Sequence, residues 1–326
     1  MPTMPWSGGA VSRRTAMRTL GLLGGLAVLP GCAADFSGTR LRVATGAVEG
    51  GYYAVGMALA RAWQHDLELR VPPDVLSTKG SIDNLQMLLA GTSDVVFCQV
   101  DVAADQLTRL APDDRMAPRA LARIYDDMVH LVTTAASPIQ TLGQLRGARV
   151  SLGDPESGVY FIARRLLEAA GLDAERDIRA VHVGIGESSA ALVEGQLDAF
   201  FWSGALPTQG VSALAAQLPV RLVDLAFVVG PMCAMHPEYA PGTIPAGSYG
   251  IPAPVISLQV RNVLLVAAGM PDDLAEQLTE GMFAAQEELA SASRAALTID
   301  PRAAIGTQPV LLHPGAERFY RRKDAF

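Results

Sequence analysis

The groups in this chain best suited to chemistry are backbone N–H groups in glycine-rich turns, and they occur in two copies. Arg42-Val43-Ala44-Thr45-Gly46-Ala47-Val48-Glu49-Gly50-Gly51-Tyr52-Tyr53 and Arg149-Val150-Ser151-Leu152-Gly153-Asp154-Pro155-Glu156-Ser157-Gly158-Val159-Tyr160 share R-V-x-x-G-x-x-E-x-G-x-Y without a gap. Each runs from an apolar strand-like stretch through glycines into a helical pattern. Such a turn leaves free N–H groups and the positive end of a helix dipole pointing at a ligand. Gly80-Ser81-Ile82-Asp83-Asn84 is a third helix start, with Ser81 expected to cap and Gly80 to allow close approach. Singly, each is ordinary α/β architecture. Three facing one cleft would suit a small anion, most simply a carboxylate.

Other chemistry is missing from the sequence. There is no G-x-S-x-G elbow, H-E-x-x-H pair or phosphate-binding P-loop. Gly184-Ile185-Gly186 is similar to a dinucleotide turn, but Ser189 stands at the third glycine position. His65, His130, His182, His236 and His313 have no metal-ligand spacing and read as surface or satisfied core residues. Asp126-Asp127 reads as a solvated turn, and Arg321-Arg322-Lys323 as a solvated helix end. No metal and no cofactor is expected. A net charge of −7 without a basic stripe argues against nucleic acid.

These turns must be held by repeated α/β units. A second echo, Leu88-x-x-Gly91-x-x-Asp94-x-x-Phe97 and Leu192-x-x-Gly195-x-x-Asp198-x-x-Phe201, follows the first in the same order, about a hundred residues apart. Its glycines can close a helix in the left-handed conformation before an apolar strand. Strands are expected near Leu41–Thr45, Leu67–Val71, Val95–Cys98, Val129–Thr134, Arg149–Leu152, Arg179–Val183, Ala199–Trp202, Val220–Val223 and Val255–Val266, with helices between most of them. Residues 230–254 show no period. At 326 residues and 50% hydrophobic composition, two α/β lobes joined by crossover strands fit the chain, with a ligand between them.

The first thirty-odd residues read as an export address. Arg13, Arg14 and Arg18 precede the apolar stretch Leu20–Leu29, and no acid comes before Asp35. Leu29-Pro30-Gly31-Cys32 resembles a lipobox, which would make Cys32 the site of lipid attachment. Ser12-Arg13-Arg14-Thr15-Ala16-Met17-Arg18 resembles a twin-arginine motif, with Ala16 where that motif prefers phenylalanine. The alternative is a buried apolar helix with an ordinary core cysteine. Cys98 and Cys233 read as small core residues, with a disulfide between them the other option.

At the glycine-rich turns the chain resembles the TAXI family of solute receptors for tripartite ATP-independent periplasmic (TRAP) transporters. Thr45–Tyr53 is similar to the family's T-G-G-T-G-G-T-Y-Y, Thr78–Asn84 to T-x-G-S-x-E-N, and Gly91–Asp101 to G-E-A-D-L-A-x-x-Q-S-D. Gly153–Val159 is similar to G-P-P-G-S-G-T, Ile244–Tyr249 to I-P-A-G-T-Y, and Leu312–Ala316 to L-H-P-G-A. The resemblance spans about Leu41 to Tyr320. It implies a type II periplasmic-binding-protein fold and a small-molecule ligand, an amino acid or related carboxylate, delivered to a membrane permease. The expected organisation is a signal peptide over 1–31, a tether over 32–39, lobe I from 40–132 plus 230–326, and lobe II from 133–229. The expected ligand-binding set is Thr45, Gly46, Glu49, Gly51, Tyr52, Tyr53, Gly80, Ser81, Asn84, Gln99, Glu156, Ser157, Gly158, Val159 and Ser203. The chain departs from the family at Val48, Gly51 and Val159, where hydroxyls are lost, and at Glu49 and Glu156, where acids appear. If both acids faced inward they would repel a dicarboxylate, which favours an amine-bearing ligand or, less simply, a metal bridge. The alternative is that both point to solvent.

The leading expectation is therefore a non-catalytic receptor in the periplasm or at the cell surface, held to a membrane by Cys32. A sensory binding protein presenting its closed form to a signalling partner is the second, and an enzyme on the same fold the weakest, since no nucleophile–base pair is visible.

Overall fold

A computed structural model describes residues 34–111 and 113–324, with Met1 and Thr3. The export motifs and Cys32 lie outside the described residues. The body begins at Phe36. Phe36 packs on the hydrophobic core, the Thr39 N–H donates to its carbonyl, and Arg70 N–H donates to the Ser37 carbonyl. Residues 36–39, expected as part of a tether, are thus fastened to the first lobe.

In chain order the elements are β1 (Arg42–Ala44), α1 (Gly51–Asp66), β2 (Asp74–Leu76), α2 (Ser81–Leu89), β3 (Val95–Gln99), α3 (Val100–Leu107) and β4 (Pro118–Thr134). Next come β5 (Arg149–Ser151), α4 (Gly158–Ala169), β6 (Arg179–Val181), α5 (Ile185–Val193), β7 (Ala199–Gly204), α6 (Gln209–Ala215) and β8 (Val220–Leu222). The chain ends with α7 (Ala226–Met235), β9 (Tyr239–Ile244), β10 (Val255–Ala267), α8 (Asp272–Ala284), α9 (Gln286–Ala292), α10 (Pro301–Ala304) and α11 (Pro314–Arg322). Among the described residues no helix is long and apolar enough to cross a membrane.

One mixed sheet runs β2-β1-β3-β10-β4-β7-β5-β6, with β8 on β4 and β9 on β10. The parallel trio β2-β1-β3 belongs to the first lobe and the parallel trio β6-β5-β7 to the second. The two antiparallel strands β4 and β10 lie between and serve both. β4 pairs with β10 from Pro118 to Met128, then with β7 and β8 from Met128 to Thr134. The first crossing therefore falls near Met128, within β4. The aperiodic stretch 230–254 also holds structure. Ile244 and Ile251 pack with Met128, Val132 and Phe200, so the return to the first lobe comes along β10 and not at residue 230. Its mixture of Pro, Gly and short strand hides it from any periodicity.

The sequence echo has a physical basis. Arg42 opens β1, and its backbone N–H and guanidinium grip Asp94 at 2.8–3.0 Å while Nη2 caps the Gly91 carbonyl at 2.9 Å. Arg149 does the same in the second lobe, to Asp198 at 2.6–3.1 Å and to Gly195 at 2.8 Å. Gly91 and Gly195 take φ of +66° and +68°, ending α2 and α5 in the left-handed conformation expected for them. Leu88, Phe97, Leu192 and Phe201 anchor the two corners in the core. Each clamp thus ties a strand start, a helix end and the next strand.

The Arg149 guanidinium holds Asp198 below the ordinary carboxylate range. Arg149→Ala is expected to lower the unfolding free energy at pH 7, modestly because the pair is partly exposed. Because the folded-state pKa is depressed, that contribution is present above about pH 4 and is lost as pH falls through the folded value. Urea titrations of both proteins at pH 7 and below pH 3 measure the difference.

Candidate functional site

Where β4 and β10 cross between the lobes there is a cavity of about 240 Å³. The first lobe supplies the start of α1 and the turn before α2. The second supplies Gly153–Val159 at the start of α4, Gly184 and Ile185 at the start of α5, and Trp202–Ala205 at the end of β7. Gln99, Tyr125 and Asp127 form its floor. Of the residues expected at a ligand, Gly46, Gly51, Tyr52, Gly80, Ser81, Gln99, Ser157, Gly158, Val159 and Ser203 line this wall.

Five others do not. Thr45 and Asn84 are fully buried in the scaffold. The Asn84 amide donates to the carbonyls of Thr45 and Phe97, and Thr78 Oγ1 donates to Asn84 Oδ1 at 2.6 Å, so this trio locks the β1 and β3 ends together. Tyr53 is half-buried on α1 off the cavity wall. Glu49 is exposed, and Glu156 turns to the rim, where its carboxylate meets Lys79 Nζ at 3.1 Å. The two echoed acids therefore do not confront a ligand from opposite corners. Nor does Glu156 confront one through its backbone: its carbonyl accepts from the N–H groups of Ile82 (3.1 Å) and Asp83 (3.0 Å). The α2 start, expected to face the ligand, instead closes on the opposite lobe.

Local backbone explains the rest of the wall. Gly80, at φ +120°, is the N-terminal cap of α2, a conformation closed to other residues. Ser81 does not cap; its hydroxyl accepts the Gln99 N–H at 3.0 Å and fixes the end of β3. Ser157 caps α4, accepting from Tyr160 N–H at 3.1 Å. A Cβ on Gly158 would overlap the Gln99 amide oxygen, so glycine lets α4 reach the floor. The first-turn N–H groups of α1 (Gly51, Tyr52) and α4 (Gly158, Val159) have no protein acceptor among the described residues. Two helix starts, one from each lobe, thus converge on the cavity with free donors.

The group that sequence reasoning missed is Asp127. Expected in a solvated turn, it lies mid-strand in β4 and is 5% exposed. Gln99 Nε2 donates to its carboxylate at 3.2 Å and Ser203 Oγ lies at 3.4 Å. Asp126, its neighbour, points the other way and pairs with Arg123. The signal was available: Ala120–Val132 contains no Gly, Pro, Asn or Ser to make a turn. Burial pushes the Asp127 carboxyl up to about 7, against the opposing hydrogen bonds of Gln99 and Ser203. Lys79, Trp202 and the Gly184-Ile185 pair also line the wall without having been expected there. Elsewhere, burial lowers His130 to about 4, and His313 serves as the cap of α11. Cys98 and Cys233 are both free, which removes the disulfide option.

Asp127 makes stability depend on pH in an unusual direction. Its folded pKa of about 7 lies above the ordinary value, so between about pH 4 and 7 the folded state binds more protons than the unfolded one. Stability from this group falls as pH rises through that window, by up to about 1.4 kcal/mol per unit. Asp127→Asn is expected to remove that slope and gain stability relative to the parent protein at pH 8. Denaturant melts of the two proteins from pH 4 to 8 measure it. The comparison cancels the similar slope from buried Asp101, whose pKa is raised to about 6.

Comparison with known proteins agrees with this architecture. A protein from Bordetella bronchiseptica RB50 is similar at TM-score 0.53 and 19% identity, covering 88% of this chain and 89% of its own. A Xanthomonas citri protein solved with ATP bound is similar at TM-score 0.53 and 16% identity over 87% and 98% of the two chains. A structure described as a periplasmic transporter follows at 0.51 and 15% over 88% and 93%. At such identities these share the fold: a mixed α/β architecture, central sheet and flanking helices, of periplasmic binding proteins. The NMT1-like family model matches residues 43–323, and the chain belongs to the NMT1-like family.

Proposed function

We propose that this protein is an extracytoplasmic solute receptor that encloses a small carboxylate between its lobes and hands it to a TRAP-type membrane permease. One observation carries the reading: helix starts from opposite lobes, α1 and α4, bring unpaired N–H groups to a single enclosed cavity. An anion there is held by both lobes at once and so favours their closed arrangement. Among the described residues no histidine or cysteine lines the cavity, which supports a binding role over catalysis. The resemblance of six ordered motifs to TAXI receptors supports the permease as recipient. The lipobox-like Leu29–Cys32 supports a tethered receptor, attached at Cys32, on the outer side of a membrane.

Native mass spectrometry of gently purified protein, followed by calorimetry with the carboxylate it retains, tests the binding step. Retention of a solute without a carboxylate overturns it. Affinity capture from solubilised membranes, with and without that solute, tests delivery; TRAP membrane subunits enriched by the liganded form are the expected result, and a sensor kinase in their place overturns the permease. Lys79→Ala breaks the rim contact to Glu156 and is expected to weaken binding by up to about fivefold, since solvent screens an exposed ion pair.

A further inference from the structure

Most hydrogen-bonding side chains on the cavity wall are already engaged with the protein. Ser157 Oγ donates to the Asp154 carbonyl at 2.6 Å and accepts from Tyr160 N–H. The Tyr52 hydroxyl donates to Asn262 Oδ1, and Trp202 Nε1–H donates to Thr208 Oγ1 at 3.2 Å, so these rings offer a solute carbon. Gln99 Nε2 serves Ser203 and Asp127, and its Oε1 lies only 2.0 Å from where a Cβ on Gly158 would stand. The charges are engaged too. Lys79 is paired with Glu156, and the Asp154 carboxylate accepts from Glu156 N–H at 3.0 Å. Asp127 accepts from Gln99 and Ser203, and burial raises it to about 7, so below neutral pH the floor is uncharged. One hydroxyl is the exception. Tyr125 is 3% exposed, its oxygen would lie 3.2 Å from a Cβ on Gly51, and it has no hydrogen-bond partner among the described residues. Gly51 opens α1, so this donor stands beside the free N–H groups of that helix start. Burial raises the phenol well above its ordinary range, which keeps it protonated.

We propose that the solute is a monocarboxylate with an uncharged, apolar body, and that the Tyr125 hydroxyl completes its carboxylate site. The inference deepens the receptor reading above and rests on it. The helix starts and Tyr125 take the carboxylate oxygens, while Tyr52, Trp202, Val159 and Ile185 surround the body with apolar surface. A second carboxylate would find no cation, because the lysine on the wall already serves Glu156 at the rim. An ammonium would give up its hydration for a floor whose acid is already engaged by Gln99 and Ser203. Selection thus comes from what the wall withholds: a charged body loses water and gains no partner. Val159 fits this reading, since the chain carries a methyl there where the similar motif has a hydroxyl.

Calorimetry on protein stripped of solute by unfolding and refolding tests this with four probes: 4-methylpentanoate, leucine, glutarate and 4-methylpentanamide. Leucine adds an ammonium to the first probe, glutarate carries a second carboxylate, and the amide removes the negative charge. The apolar acid is expected to bind about thirtyfold or more tighter than each of the others. Tyr125→Phe should weaken the acid about tenfold and the amide less than about threefold, a split that mere loosening of the cavity would not produce. Val159→Thr, nearly the same in shape, should weaken the acid about fivefold as an independent check. Leucine or glutarate binding as tightly as the apolar acid, or Tyr125→Phe acting equally on acid and amide, overturns the inference and leaves the receptor reading standing. An amide that binds as well as the acid, or failure of all four probes with refolded protein, overturns both.

Discussion

The ladder between β4 and β10 is the constraint on which the rest of the molecule depends. From Pro118 to Met128 these strands are paired antiparallel, and both then continue into the second lobe with different partners. Two hydrogen-bonded strands cannot shear freely, so relative motion of the lobes is confined to bending where the pairing changes. The register shift between Arg261 and Val263 lies in that stretch, and Asp127 pairs with Val260 beside it. Asp127, on the cavity floor, therefore lies beside the place where the strand pairing changes.

Closure itself is held by contacts that bypass the ligand. The Glu156 carbonyl caps α2 from across the cleft, and Lys79 meets the Glu156 carboxylate at the rim. Deeper in, Arg165 of α4 donates to the Tyr239 hydroxyl at 3.1 Å, which donates to Asp101 of α3 at 2.6 Å. Asp101 is fully buried, so this chain of polar groups joins the lobes in a low-dielectric setting where breaking it would strand a charge. The α2 start illustrates the trade. Its N–H groups could have served an anion, but they are spent on the opposite lobe, leaving α1 and α4 as the donors that face the cavity.

The sequence was most legible where one interaction demands particular residues at fixed spacing. The Arg42–Asp94 and Arg149–Asp198 clamps need an arginine at a strand start and an aspartate three residues past a left-handed glycine, and the echo is the trace of that demand. It showed the repeated strand–turn–helix unit and part of the cavity wall. It could not show side-chain direction. Glu49 and Glu156 occupy matching places in the two turns, yet one is in solvent and the other is drawn to Lys79 of the facing lobe, a partner outside the repeat. Asp127 was illegible for a related reason. An acid beside another acid reads as solvent-facing by composition, and only the long uninterrupted strand, paired on both edges, forces one of the two inward.

That inward acid also explains why the wall around it is so poor in side-chain donors. Here the anion-facing donors are backbone N–H groups, whose partial charges are fixed in direction and cannot swing onto a neighbouring carboxylate. Glycine at Gly51 and Gly158 keeps those N–H groups open, and at Gly158 it also leaves room for the Gln99 amide to stay on Asp127. Lys79, the one cationic side chain among the cavity-lining residues, is paired at the rim with Glu156, a partner that the place of Glu156 in the repeat does not reveal.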